Sequence, residues 1–152
     1  MRYAPFLMCG LVCMLAGCST LPKQPEIVSA GINPPQLQPG DAAIIAVEIQ
    51  DRFNIVHKVE GVVKEDTAII FRLKDDGVAP DAKADDNIWT LQVDVPFNAP
   101  AGDFGLTLTA YDDKGEPILI HDANGDAVPL SAAFGIAIQW PKPAAPEPAA
   151  QP

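Results

Sequence analysis

Alternation of apolar and polar positions dominates the middle of the chain. Over residues 42–50, Ile45, Val47 and Ile49 point one way while Glu48 and Gln50 point the other. The same period of two runs through residues 55–64, with Ile55, Val59 and Val63 set against Lys58 and Glu60. Over 67–73, Ile69, Phe71 and Leu73 share a face opposite Arg72. Over 88–95, Trp89, Leu91, Val93 and Val95 turn inward and Gln92 and Asp94 outward. Phe104, Leu106, Leu108 and Ala110 alternate with Gly105, Thr107, Thr109 and Tyr111, and Phe134, Ile136 and Ile138 lead on to Trp140. Successive side chains of a strand point to opposite faces, so each run predicts a half-buried β-strand. A weaker strand at 26–32 and an edge strand at 117–121 complete the set, and no window carries a helical period.

Turn chemistry separates these runs. Pro39-Gly40-Asp41, Asp75-Asp76-Gly77, Ala101-Gly102-Asp103, Asp112-Asp113-Lys114-Gly115 and Asn124-Gly125-Asp126 all fall between predicted strands. The turn at Asp112 to Gly115 is short enough to close a hairpin. Seven or eight short strands in about 115 residues read as an antiparallel all-β sandwich. A closed barrel is the alternative, and the mixture of long and short connections favours Greek-key crossings.

Ahead of the strands the pattern changes. Arg2 precedes an almost wholly apolar run from Phe6 to Met14, which ends in Leu15-Ala16-Gly17-Cys18 and is followed at once by the polar, proline-broken Ser19-Thr20-Leu21-Pro22-Lys23-Gln24-Pro25. This is the layout of a secretory signal. It is too short for a membrane span, which needs roughly 20 apolar residues. The closing tetrapeptide resembles the lipobox of bacterial lipoproteins. That resemblance implies cleavage before Cys18, acylation of its sulfur with several chains, and lasting attachment to a membrane, since one chain alone binds only marginally. Many lipobox proteins retained in the inner membrane have Asp where this chain has Ser19, so in a Gram-negative cell the resemblance points to the outer membrane. The expected organisation is a signal peptide at 1–17, a lipidated tether at 18–25, a sandwich at 26–140 and a disordered Pro/Ala-rich tail at 141–152.

Composition narrows the partners. The chain has 20 acidic and 10 basic residues, and removal of 1–17 takes away Arg2 alone, leaving 20 against nine, formally −11. Nothing supplies the basic patch that nucleic acid requires, and anionic headgroups are repelled, so membrane contact falls to the lipid. The three cysteines are Cys9, Cys13 and Cys18. With two in the signal and the third acylated, the exported domain has no disulfide and rests on core burial.

The one distinctive loop is Asp75-Asp76-Gly77-Val78-Ala79-Pro80-Asp81-Ala82-Lys83-Ala84-Asp85-Asp86-Asn87-Ile88-Trp89-Thr90. It resembles the D-D-G-x-x-x-D-A-x-A-G-D-G-hydrophobic-aromatic-T loop of bacterial immunoglobulin-like domains. Ala101-Gly102-Asp103-Phe104-Gly105-Leu106-Thr107-Leu108-Thr109-Ala110-Tyr111-Asp112 is similar to the A-G-x-Y-x-L-x-V-x-A-x-D strand of the same domains. The resemblance covers the second half of the domain and implies an immunoglobulin-like Greek-key sandwich. Asp85 and Asn87 stand where that pattern has glycines, and Phe104 stands for its tyrosine, losing a hydroxyl bond. Asn and Asp tolerate left-handed backbone better than other residues with a Cβ.

Five carboxylates in the twelve residues from Asp75 to Asp86 admit two readings. Asp75, Asp76, Asp81 and Asp86 suit a hard cation, calcium, which takes six to eight oxygens. Alternatively, the side chains cap turns through their own backbone and stay hydrated. The second is the expectation, and no cofactor is required. Asp122-Ala123-Asn124-Gly125-Asp126 begins like an EF-hand loop but has Ala127 and Ala133 where the pattern fails, so it reads as a turn.

Catalytic signatures are missing from the sequence. His57 and His121 each stand alone, Ser29 and Ser131 lack a nucleophile-elbow context, and the paired carboxylates lie in one loop. The expectation is a non-catalytic interaction or structural module of the cell envelope, with an envelope protein or polymer as partner. A carbohydrate-binding or cell-wall-polymer-binding module is the alternative. It requires exposed aromatics, for which the pattern offers Tyr111 and Trp140.

Overall fold

The structure, a computed structural model, describes residues 24–140. The predicted signal peptide, Cys18 and the proline-rich tail lie outside the described residues. Ten strands follow in order: β1 (Glu26–Asn33), β2 (Gln36–Leu37), β3 (Ala42–Gln50), β4 (Lys58–Val63), β5 (Ile70–Leu73), β6 (Ile88–Asp94), β7 (Gly102–Tyr111), β8 (Leu119–His121), β9 (Ala127–Pro129) and β10 (Ser131–Ile138). There is no helix among the described residues.

The strands form an immunoglobulin-like sandwich. One sheet has the order β1-β3-β6 and the other β2-β10-β7-β4-β5, with β8 and β9 as a separate hairpin. Pairing is antiparallel except for β2, which runs parallel to the end of β10. The chain therefore crosses between the sheets at β1–β2, β2–β3, β3–β4, β5–β6 and β6–β7, staying in one sheet only from β4 to β5, which gives the Greek-key course. Cross-strand partners share a face, so Ile45 beside Leu91 and Val47 beside Trp89 turn together toward the second sheet. There they meet Leu106, Leu108 and Val59, all at most 1% exposed. No cysteine lies in this core.

Boundaries differ from the sequence pattern where side chains leave the interior. The predicted strand at 55–64 begins only at Lys58, because Ile55 is 38% exposed and the chain first bends at Asp51, whose buried carboxylate accepts from the Phe53 and Val56 amides. The predicted hairpin at Asp112 to Gly115 closes its turn but makes only one bridge, Tyr111 to Pro117. The following residues instead pair β8 with β9 around the Asp122 to Asp126 turn.

Antiparallel pairing fixes what lies at each end. At one end are the start of β1, the 51–57 bend, the acidic loop between β5 and β6, and the β8–β9 hairpin. At the other are β2, the β4–β5 turn, the 95–101 connection between β6 and β7, and the end of β10. These are called the acidic end and the apolar end below.

Candidate functional site

The acidic loop hangs from a closed base. Lys74 and Thr90 exchange two backbone hydrogen bonds of 2.9 and 2.8 Å, joining the end of β5 to β6. The Ile49 amide donates to the Asn87 carbonyl at 3.0 Å. Within that base the backbone folds on itself through its own carboxylates. Asp75 accepts from the Asp86 and Asn87 amides at 3.2 and 2.8 Å, and Asp81 from Gly77 and Lys83 at 2.5 and 3.2 Å. Asp86 accepts from Ile88 at 3.1 Å.

Three residues of this loop have a positive φ: Gly77 at 69°, Asp85 at 58° and Asn87 at 66°. The resembled pattern has glycine at each of these positions. The geometry is kept here with Asp and Asn at two of them, residues whose short polar side chains tolerate it.

Asp75, Asp81 and Asp86 converge: one carboxylate oxygen from each lies within 4.8 Å of the others. Asp76 lies outside this group, exposed, with its oxygens taken by the Val78 amide at 3.0 Å and the Lys74 ammonium at 3.4 Å. The three carboxylates have the oxygen donors a hard cation takes, but one oxygen from each supplies at most half of calcium's six to eight. Backbone carbonyls or water would have to complete the shell. Both oxygens of Asp75 and both of Asp81 already hold amides. The amide of Gly77 holds the Asp81 carboxyl below its ordinary value of 3.8, against an opposing push from burial. Donation to the charged form is what depresses it.

Asp112 and Asp122 repeat the device in the two other acidic turns. Each accepts from the residues two and four places on, Lys114 and Glu116 for Asp112, Asn124 and Asp126 for Asp122. Both carboxyls are held low, first by the amides of Glu116 and Asp126 respectively. The EF-hand-like stretch is therefore a hairpin turn, as its sequence predicts.

The apolar end has the opposite chemistry. Between the sheets lies a cavity of about 400 Å³, open on one side. Ile32, Val63, Phe71, Val93, Phe104 and Ile136 form much of its wall. Native interiors have few voids larger than a water molecule. Sealed and empty, such a volume would cost on the order of 10 kcal/mol at about 24 cal/mol per Å³, comparable with the whole stability of a domain. The cavity is instead open to solvent, and its lining is almost wholly apolar.

Aromatic placement departs in part from the sequence pattern. Trp89 is half-buried against the core, as its alternation predicts, although its Nε1 has no partner. Tyr111 is half-buried, with the Lys58 ammonium 4.4 Å from its ring centroid. Trp140 is 56% exposed. Phe97 (83%) and Phe53 (59%) are the exposed rings that alternation missed, because both lie in connections where no period operates. Phe97 lies over Gly40, where a Cβ would come within 2.5 Å of the ring.

No family model matches the chain, and no curated protein sequence does. Two solved structures share part of its course. One is the endo-beta-1,4-mannanase from Thermotoga petrophila, with a TM-score of 0.49 and 10% identity over 80% of this chain and 21% of that one. The other is a Niemann-Pick type C2 protein from the Japanese carpenter ant, with a TM-score of 0.46 and 15% identity over 77% of this chain and 94% of that one. The chain spans only about a fifth of the mannanase. At these scores and identities nothing about function passes from either protein to this chain.

Proposed function

We propose that this protein is a lipid-anchored lipoprotein of the bacterial cell envelope, outer membrane in a Gram-negative cell, whose sandwich is a non-catalytic interaction module. The reading rests on the lipobox-like Leu15-Ala16-Gly17-Cys18, and the way the start of the domain is fastened orients it. Gln24 donates from Nε2 to the His121 carbonyl at 2.8 Å and accepts at Oε1 from the His121 amide at 2.9 Å. A side-chain amide used this way acts as an added rung on β8 and fixes the chain at the acidic end. Cys18 lies six residues earlier, a reach of at most about 20 Å. An acyl group there holds the acidic end toward the bilayer and presents the apolar end, with Phe97, to the envelope space. The cleaved chain's excess of 20 acidic over nine basic residues, formally −11, keeps the body off anionic headgroups.

Two experiments test this. Metabolic labelling with a palmitate analogue should mark the wild type and not Cys18→Ala, which should accumulate as a longer precursor. Label retained in Cys18→Ala would end the anchoring reading. A photo-crosslinking residue placed at Phe97 in cells should capture an envelope component that the same residue at Val78 does not. Equal capture from both ends would remove the assignment of an interacting end.

The convergence of Asp75, Asp81 and Asp86 favours a second reading, calcium-dependent binding of carbohydrate or cell-wall polymer. A ligand that binds only the folded state adds about 2.7 kcal/mol at a hundredfold excess over Kd. Thermal unfolding in calcium and magnesium at matched ionic strength is expected to give equal responses, the mark of charge screening. A calcium-selective rise in Tm that Asp81→Asn and Asp86→Asn abolish would favour the second reading instead.

A further inference from the structure

The cavity at the apolar end has no place in the fold's own packing. Strands β4, β5, β6, β7 and β10 all contribute to its walls, and so does the end of β1. Of the residues that alternation sends inward, Phe71, Val93, Phe104 and Ile138 are only half-buried here, while Val63, Val95 and Ile136 on the same walls are buried. In the middle of the sandwich their counterparts Val47, Leu106 and Leu108 are at most 1% exposed. The difference comes from the cover. The connection between β6 and β7 crosses this end as Pro96, Asn98, Ala99 and Pro100, of which only Ala99 is buried. A methyl group and two exposed prolines are too little to fill the space between two sheets. Its one bulky side chain, Phe97, turns away from the cavity onto Gly40.

The wall chemistry defines what fits. An engineered apolar cavity of roughly 150 Å³ already binds a small hydrocarbon and excludes water. This one, at about 400 Å³, lies in the range of small-molecule sites. No Lys, Arg or His lines it, and its two polar side chains, Asp94 and Asn98, are both exposed. An anionic headgroup would find no cation there, would face the Asp94 carboxylate, and would approach a protein of formal charge −10. A sugar would leave most of its hydroxyls against hydrocarbon without partners. A flexible, uncharged hydrocarbon chain loses nothing in such walls and gains from burial.

We infer that this cavity is a binding site for the hydrocarbon chain of a neutral single-chain amphiphile, one per molecule, with the headgroup outside beside Asp94 and Asn98. The site needs the sandwich and not the lipid anchor, so it stands or falls separately from the function proposed above.

The test uses the chain from Ser19 to Pro152, which keeps every described residue and omits the acylation site. It is purified without detergent and extracted with organic solvent-washed resin to remove bound lipid. The neutral fluorescent probe N-phenyl-1-naphthylamine is titrated first, then displaced by 1-monolauroylglycerol or laurate, each below its micelle-forming concentration. The expected result is saturable binding at one probe per chain, with monolauroylglycerol displacing it at least tenfold more effectively than laurate at neutral pH. Val93→Phe and Ile136→Phe place rings in the cavity and should weaken the probe at least tenfold while Tm stays level or rises. Native mass spectrometry of the wild type with monolauroylglycerol should show one bound lipid, and this readout does not depend on either variant folding. Absence of a one-to-one complex by both methods would overturn the inference, as would a folded Val93→Phe or Ile136→Phe variant that binds as the wild type does. Laurate binding more tightly than monolauroylglycerol would overturn the assignment to a neutral ligand.

Discussion

The acidic end and the apolar end are built from the same two sheets but satisfy themselves in opposite ways. At the acidic end, carboxylates at Asp75, Asp81, Asp112 and Asp122 each hold two backbone amides, so the loops supply their own partners. At the apolar end, inward side chains from both sheets face a space that no side chain of this domain fills. The contrast teaches where to look for function in such a fold. A conspicuous cluster of charges can be largely engaged in shaping turns, while an unremarkable alternation of Val, Ile and Phe ends at an open apolar cavity.

Stability should follow the same contrast, most strongly in the sealed middle. Leu106→Ala removes a side chain with no exposed surface and should cost about 2–5 kcal/mol. Val93→Ala, on the cavity wall, should cost below about 1.5 kcal/mol because its side chain already borders an opening. Chemical denaturation reads both, and equal losses would mean that the cavity is packed shut in solution.

The acidic loop comes next. Gly77 has φ at 69°, and a Cβ there would meet the Ala84 nitrogen at 2.9 Å. Gly77→Ala should therefore cost about 1–2 kcal/mol. Asn87→Ala should cost about 1 kcal/mol for the same left-handed backbone, while Asn87→Gly should stay within about 0.5 kcal/mol of the wild type. An Asn87→Ala variant as stable as Asn87→Gly would show that the loop does not keep this geometry.

The pH dependence is the gentlest probe. Asp81, Asp112 and Asp122 are all held below the ordinary carboxylate value of 3.8 in the folded chain. A folded-state value below the unfolded one contributes stability that is present above about pH 4 and lost as pH falls through the folded value. Tm should be level from neutral pH to near 4 and fall below it, with a shallower fall in Asp81→Asn. An identical acid profile in the two proteins would separate Asp81 from the effect.

Much of the fold was legible because alternation is a direct image of burial. The strand predicted at 42–50 is β3 to the residue, and the inward positions of β6 and β7 follow the pattern. What was not legible has physical reasons. Gln36–Leu37 is too short to show a period, and Ala127–Pro129 ends in a proline that argues against a strand. In the acidic loop, residue type marked Asp75, Asp76, Asp81 and Asp86 as candidates, but spacing alone did not separate the three that converge from Asp76, which turns away to Lys74. The cavity left no trace, because alternation marks Val93 and Ile136 as inward whether or not the sheets close upon them.

The most direct test of the account is a map of backbone amide shifts in the ¹⁵N-labelled chain from Ser19 onward. The map is recorded first with monolauroylglycerol and then with calcium and magnesium. The account predicts saturable movement at Val63, Val93, Ala99 and Phe104 with the lipid, with the amides of 75–87 unmoved. It predicts only small, equal responses of 75–87 to the two metals. Saturable, calcium-selective movement across 75–87, with the cavity amides indifferent to lipid, would contradict it.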